Sequence, residues 1–288
     1  GVGRNQVSRL TLHQRDDGTG WEAKDKVDIW TGHFFSAGHQ IHDGWCKDNR
    51  LYVCVGDQFY SPVSEWAGNP ERDVGKILCM DFDGSNKTHV AKSIRDPYAV
   101  VNFPSSEDAF ERTMAVANGS SIARIWFASI KDDGSTWDAG WTGDDTDLSW
   151  SQRDDTNHPN PPNAVLQTFQ NDPSPNGLAF WKSTDTIFQR TTSLPIPVAQ
   201  SSAVGLVVFY GKATDTNQGS NYEKKVCLAK LENMGAPQPQ LTLEPIIQRK
   251  AALNGTWGNP LSVALDPLTG NAIICDVSAG KLFSVYFI

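Results

Sequence analysis

Apolar residues in this chain come in short runs, and none of the runs is sustained at helical spacing. The runs are rich in β-branched and aromatic residues, which suits strands rather than helices. They fall at Gln6–Leu12, Arg50–Val55, Lys76–Phe82, Tyr98–Phe103, Ile125–Ile130 and Gly177–Trp181. They continue at Val204–Tyr210, Lys225–Leu231, Leu261–Leu265, Ala272–Cys275 and Lys281–Phe287. Turn-forming pairs separate them: Asp48-Asn49, Asp83-Gly84, Asp133-Gly134, Asn176-Gly177 and Thr269-Gly270. Many short strands punctuated in this way predict a sandwich, a barrel or a propeller.

A loose unit of strand, Asp/Asn/Pro turn and strand recurs over Asp43–Asp57, Ala99–Asn118 and Leu261–Phe287. Recurring small sheets suit a β-propeller better than a sandwich. The expectation is therefore an all-β propeller domain spanning 1–288. Residues 131–162 break the pattern, being rich in Asp, Trp, Asn and Pro. They are too few for a core of their own and read as a surface insertion.

At 288 residues the chain can bury a substantial core, and its net charge of −8 disfavours nucleic acid and anionic membranes as partners. No apolar run approaches bilayer length, so no membrane span is expected. The first residues, GVGRNQVSRL, lack an apolar signal core. Either the protein is cytosolic or a leader was removed before Gly1. The five cysteines, Cys46, Cys54, Cys79, Cys227 and Cys275, form no CxxC motif and no Cys/His cluster. Buried free thiols are the simplest reading. A Cys54–Cys79 or Cys46–Cys54 disulfide is the alternative and would point outside the cytosol. Sequons at Asn86, Asn118 and Asn254 add some weight to a secreted glycoprotein.

Two segments carry the candidate chemistry. HQIHDGWCKDNRLYVCVGDQ (His39–Gln58) places His39 and His42 ahead of a hairpin that ends in Gly-Asp-Gln. IRDPYAVVNF (Ile94–Phe103) places Arg95 ahead of an Asp-Pro step and an apolar strand. A histidine is the side chain best suited to proton transfer near neutral pH, and an arginine can stabilise a developing oxyanion. The two form a site only if the strand ends converge. The plainer alternatives are a loop histidine, an arginine in a surface ion pair with Asp96, and an Asp57 that merely forms a turn. Trp126, Trp137, Trp141 and Trp150 accompany Asp-rich loops, where they could stack on sugar rings or fill space between sheets. The Asp144–Asp147 and Asp154-Asp155 runs lack EF-hand spacing and read as solvated loop.

These segments, in order along most of the chain, resemble the quinoprotein glucose/sorbosone dehydrogenase family. Asn5–Leu10 resembles the family's NRVSRF strand, GKILCMDFDGS (Gly75–Ser85) its GKILRIDPDGS, and IRDPYAVVNF its HRNPQGLAF. His39–Gln58 is similar to its His-to-Gly-Asp hairpin, and Ala117–Trp141, Pro162–Trp181 and Gly258–Phe287 follow later elements. The resemblance implies a six-bladed propeller, with an incomplete first blade here. It implies pyrroloquinoline quinone (PQQ) and Ca²⁺ as cofactors and an aldose or related sugar as substrate.

By position, His39 or His42 would be the catalytic base, Asp57 its support, and Arg95 the cation over the cofactor. Gln58 falls with the cofactor contacts. Gly119 and Ser120 match the carbonyls that hold calcium. The last-blade arginine that would hold a cofactor carboxylate is replaced around Asn259. The chain also departs from the family at Ile94, where a histidine is usual, and over Ser121–Ile125, where an acidic pair is lost. Two functions follow. One is an extracellular quinone-dependent sugar dehydrogenase. The other is a secreted, non-catalytic propeller serving as a glycan-binding, structural or self-associating module.

Overall fold

The computed structural model describes residues 4–34, 40–47, 49–57, 69–103, 112–118, 122–128, 130, 132–141, 165–170, 174–181, 203–211, 224–233, 239–248, 259–266 and 268–286. These residues form strands, turns and bends, with no helix among them. By backbone contacts the chain divides into two compact units, Gly1–Asp96 with Lys131–Gly143 and Pro97–Ile130 with Asp144–Ile288.

The first unit opens with an antiparallel pair, β1 (Arg4–Gln14) and β2 (Trp21–Phe34). Its second sheet contains β3 (Ile41–Lys47), β4 (Arg50–Val55), β5 (Lys76–Asp81), β6 (Thr88–Lys92) and β10 (Trp137–Asp138), in the order β10-β6-β5-β4-β3. Trp30 of β2 enters a core with Val53, Val55, Leu78 and Met80 of the second sheet. Polar groups reinforce this seam. Asp73 accepts hydrogen bonds from Trp30 Nε1 at 2.9 Å and Lys87 Nζ at 2.5 Å, and meets His89 Nε2 at 2.7 Å. Gly84, with φ +85°, forms the β5–β6 turn against β2, and a Cβ there would lie 1.9 Å from the Ile29 carbonyl oxygen. Only glycine meets both conditions.

The second unit contains three sheets. The first runs β11-β9-β8-β7, built from β7 (Pro97–Phe103), β8 (Arg112–Asn118), β9 (Ile122–Ala128) and β11 (Val165–Gln170). The next runs β12 (Pro175–Phe180), β13 (Ala203–Phe209), β14 (Lys225–Glu232) and β15 (Gln240–Gln248). The last is β16 (Pro260–Leu265), β17 (Ala272–Asp276) and β18 (Lys281–Val285). The middle sheet shows why its strands read as unbroken apolar runs. Val207, Phe209, Cys227, Ala229 and Leu231 pack with Ile125 and Phe169 of the preceding sheet. The alternate residues Leu206, Val208, Val226 and Leu228 pack with Val263 and Ile274 of the following one. Side chains alternate along a strand, so a sheet buried on both faces is apolar at every position.

Within each unit, small sheets packed face to face in chain order are propeller blades, and the all-β propeller class expected from the sequence is borne out. Among the described residues there are five sheets, and the first has two strands. The expected runs all lie in or overlap strands. Asn176-Gly177, read as a turn, lies inside β12 at a register shift. A Cβ on Gly177 would come within 3.0 Å of Ser262 Cα, so the glycine serves close packing against β16 instead. The described part of the 131–162 segment is more than surface loop. It supplies β10, which pairs parallel with β6, and buries Trp137 and Trp141.

All five cysteines are free thiols. The proposed disulfides fail on register: Cys54 faces Ile77, Cys79 faces Tyr52 and Cys46 faces Leu51.

Candidate functional site

The site lies at the β3-start, β4-end and β6-end side of the five-stranded sheet, within the first unit. Four short segments meet there through main-chain hydrogen bonds. Gly56 N–H donates to Gln40 O at 2.9 Å, and Gly75 N–H donates to Gly56 O at 3.1 Å. Ile94 N–H donates to Gly75 O at 3.2 Å, and Asp57 N–H donates to Arg95 O at 2.8 Å. The chain leaving β4 thus reaches directly to the chain leaving β6, past the start of β5. Trp141 joins from the far edge, its N–H donating to Ser93 O at 3.0 Å.

Two local irregularities aim the side chains. In the β3–β4 pairing, Ile41 faces Val55 and Gly44 faces Val53. His42 and Asp43 therefore both stand opposite Cys54, and such a bulge bends the strand and redirects its side chains. Ser93 has φ +54°, an uncommon value for a residue with a Cβ. It turns the chain immediately before Ile94-Arg95-Asp96. Uncommon backbone of this kind persists where surrounding contacts determine it.

The side chains gathered here are polar and buried. Asp57 and Asp96 are each 1% exposed and Arg95 is 8% exposed. His42 Nε2 lies 2.7 Å from Asp96 Oδ1. Cys54, on β4, has its thiol pushed well above the usual range by burial, then by the nearby Asp43 and Asp96 carboxylates. Lys76 at the start of β5 is fully buried and donates to Val74 O at 2.9 Å. Burial lowers its pKa to about 8, against an opposing pull from Asp73. A half-buried base, a buried cation and buried carboxylates on one strand-end cluster suit proton transfer from a hydroxyl with charge stabilisation alongside.

The structure brings His42, Asp57 and Arg95 together on neighbouring segments of this unit. Arg95 is buried, so its reading as a surface ion pair is set aside. Asp96 was missed as a site residue. Its signal was its place directly after Arg95, and its use appears only when β3 folds against it. His39, Gln58, Gly119, Ser120 and Trp150 lie outside the described residues. Asn259 belongs to the second unit, where its N–H donates to Asp276 Oδ1 at 3.1 Å and its carbonyl accepts from Val277 N–H. Trp126, Trp137 and Trp141 are buried at 2%, 5% and 4% exposure, so they fill space rather than offer stacking platforms. Arg124, within the element that lost its acidic pair, is fully buried on β9, and burial lowers its pKa to about 9. Among the described residues no group of three or more His, Cys, Asp or Glu could hold a metal ion.

No protein-family model matches the sequence. No curated protein matches it either. Solved structures do. An enzyme of carbohydrate-active family AA12 from Trichoderma reesei superposes with a TM-score of 0.67 at 13% identity, covering 99% of this chain and 76% of that one. The PQQ domain of pyranose dehydrogenase from Coprinopsis cinerea, solved in its holo form, gives a TM-score of 0.58 at 11% identity. That match covers 96% of this chain and 76% of the other. The fold is therefore like that of these two domains, at low sequence identity.

Proposed function

We propose that this protein is a quinone-dependent sugar oxidoreductase that oxidises an aldose or related sugar. The observation that carries the reading is the meeting of half-buried His42 with buried Asp96, and of their segments with those of buried Asp57 and Arg95, on adjoining strand ends. The fold likeness to sugar-oxidising quinoproteins supports it.

The residues present fit the redox-active end of such a quinone. Arg95 is a buried cation whose main-chain carbonyl is fixed by Asp57, and it would lie against a quinone oxygen. A guanidinium there is worth more than in water, because little solvent competes with it. A bound quinone supplies a two-electron acceptor for the hydrogen leaving the sugar carbon. The protein's own part is to take the hydroxyl proton on a histidine, hold the sugar in one orientation and exclude water. Calcium use and export from the cell belong to the same proposal. Their support is the family resemblance, with the sequons as an addition for export.

Reconstitution tests the reading. Purified protein is mixed with PQQ, with and without Ca²⁺, and dye reduction is followed with a panel of aldoses. Turnover that requires the quinone is the expected result. Arg95→Ala should lower kcat by about 100-fold, the usual cost of removing one electrostatic partner of a transition state. A protein that neither binds the quinone, by thermal shift, nor reduces dye is not this enzyme.

A further inference from the structure

We propose that Asn86 is an N-glycosylation site, with its glycan carried at the β5–β6 turn. The proposal goes beyond the catalytic reading and shares with it only export from the cell.

Asn86-Lys87-Thr88 fits the acceptor pattern of Asn, then a residue other than proline, then Ser or Thr. A glycan is bulky and solvated, so its site must also stay at the surface once the chain folds. Asn86 meets that condition. It is exposed, and so are its neighbours Asp83, Ser85 and Lys87. The turn meets β2 through Gly84, two residues earlier, against the Ile29 carbonyl oxygen. The close packing and the acceptor are thus on different residues of one turn. Of the other two sequons, Asn118 ends β8 and pairs with Ala123 in the β8–β9 ladder, and Asn254 lies outside the described residues.

The acceptor residue is also well fixed. Asn86 has φ +51°, a left-handed value that Asn adopts more readily than most residues. Its Nδ2 donates to Asp81 Oδ2 at 2.6 Å, and its carbonyl accepts from Arg50 Nη2 at 2.8 Å. Arg50 in turn lies 3.1 Å from both Asp81 and Asp132. An amide nitrogen carries two hydrogens. The sugar replaces one, and the other remains for a bond to Asp81.

The transfer involves no oxidation. A bond forms between Asn86 Nδ2 and the anomeric carbon of a lipid-linked oligosaccharide diphosphate. The bond from that carbon to the diphosphate oxygen breaks, and its electron pair leaves with the diphosphate. The amide proton goes to a base of the transferase. Transfer to the exporting chain precedes the pairing of β5 with β6, so the Thr88 hydroxyl is open to the transferase at that stage. In the folded protein it lies 3.0 Å from Asp132 Oδ1 and 3.4 Å from Cys79 O.

The experiment uses the full chain, secreted from a eukaryotic host behind a cleavable leader. Peptides are mapped by mass spectrometry before and after peptide N-glycosidase treatment in heavy-oxygen water, which marks each formerly glycosylated Asn. Asn86 should be occupied in most molecules. Thr88→Ser should keep the glycan, and Thr88→Val should lose it. Asn86→Gly should also lose it while tolerating the left-handed backbone. If Thr88→Val is not secreted, Asn86→Gly and Thr88→Ser decide.

A bare Asn86 in secreted wild type overturns the proposal, as does a Thr88→Val protein that keeps a glycan on that peptide. Protein from the natural source is mapped in the same way. A glycan on Asn86 there supports both the site and export, and a bare Asn86 overturns the modification whatever the turnover assay shows. Glycosylated protein without quinone-dependent turnover removes the oxidoreductase reading and leaves the site standing.

Discussion

Asp73 shows how a single residue sets a pH limit on this protein. Burial would raise its carboxyl pKa, but hydrogen bonds from His89, Lys87 and Trp30 outweigh that and hold it well below the usual carboxylate range. A group depressed in the folded state contributes stability above its unfolded pKa and loses it as pH falls. The wild type should therefore lose stability steeply below about pH 4. Asp73→Asn should cost about 2–3 kcal/mol at pH 7 and flatten that acid limb. Urea titrations at stepped pH measure both effects. An unchanged acid limb in the variant would show that Asp73 does not govern it.

Lys76 has the opposite consequence. Its pKa is lowered to about 8, so between about 8 and the normal value of 10.5 the unfolded chain binds more protons than the folded one. Stability contributed at this site therefore rises with pH across that window, and below it the buried charge carries its full cost. Lys76→Met should be more stable than wild type at pH 7, by up to about 3 kcal/mol. The difference should shrink as pH rises from 8 toward 10. A constant difference over that range would contradict the assignment.

At the scale of elements, the most demanding contact is the β5–β6 turn against β2. Gly84 combines φ +85° with a main-chain carbonyl where its Cβ would sit. Gly84→Ala should destabilise the protein by at least about 2 kcal/mol and loosen the two-stranded sheet from the five-stranded one. Hydrogen exchange should show this as faster exchange in β2 than in β14. Equal acceleration or no change across both strands would argue against a local seam. Elements also explain which strands the sequence revealed. The apolar runs of β4, β5, β13 and β14 were legible because both faces of each are buried. β2, with the sequence WEAKDKVDIWTGHF, was not, because a strand exposed along most of its length has no apolar run to show. β15 is similar, with mostly exposed and half-buried positions. β10 was hidden because two residues paired with β6 leave no periodicity at all.

For the whole molecule, the absence of disulfides is a testable property. Three of the five cysteines are buried, Cys275 is intermediate and Cys46 is exposed. Unfolding in denaturant without reductant should release five titratable thiols. In the native protein Cys46 should react first, slowed by a pKa that partial burial raises. Recovery of three thiols or fewer would mean that a bridge forms after all. The fold persists at 13% identity with the Trichoderma reesei enzyme, which is what sheet-on-sheet packing permits. Such packing requires apolar volume at alternate positions, and many sequences meet that requirement.

The sequence by itself determined the strand class, the propeller architecture, and the candidacy of His42, Asp57 and Arg95. It could do so because burial on two faces and turn chemistry are local properties, written in consecutive residues. It could not determine which carboxylate meets which histidine. Asp96 reads as the neighbour of Arg95, and Asp57 as the neighbour of Gly56. Only the β3 bulge and the turn at Ser93 bring Asp96 to His42, 54 positions away in the chain. Hydrogen bonding is short-ranged and directional, so such a pairing is decided by where folded strands end and not by spacing along them.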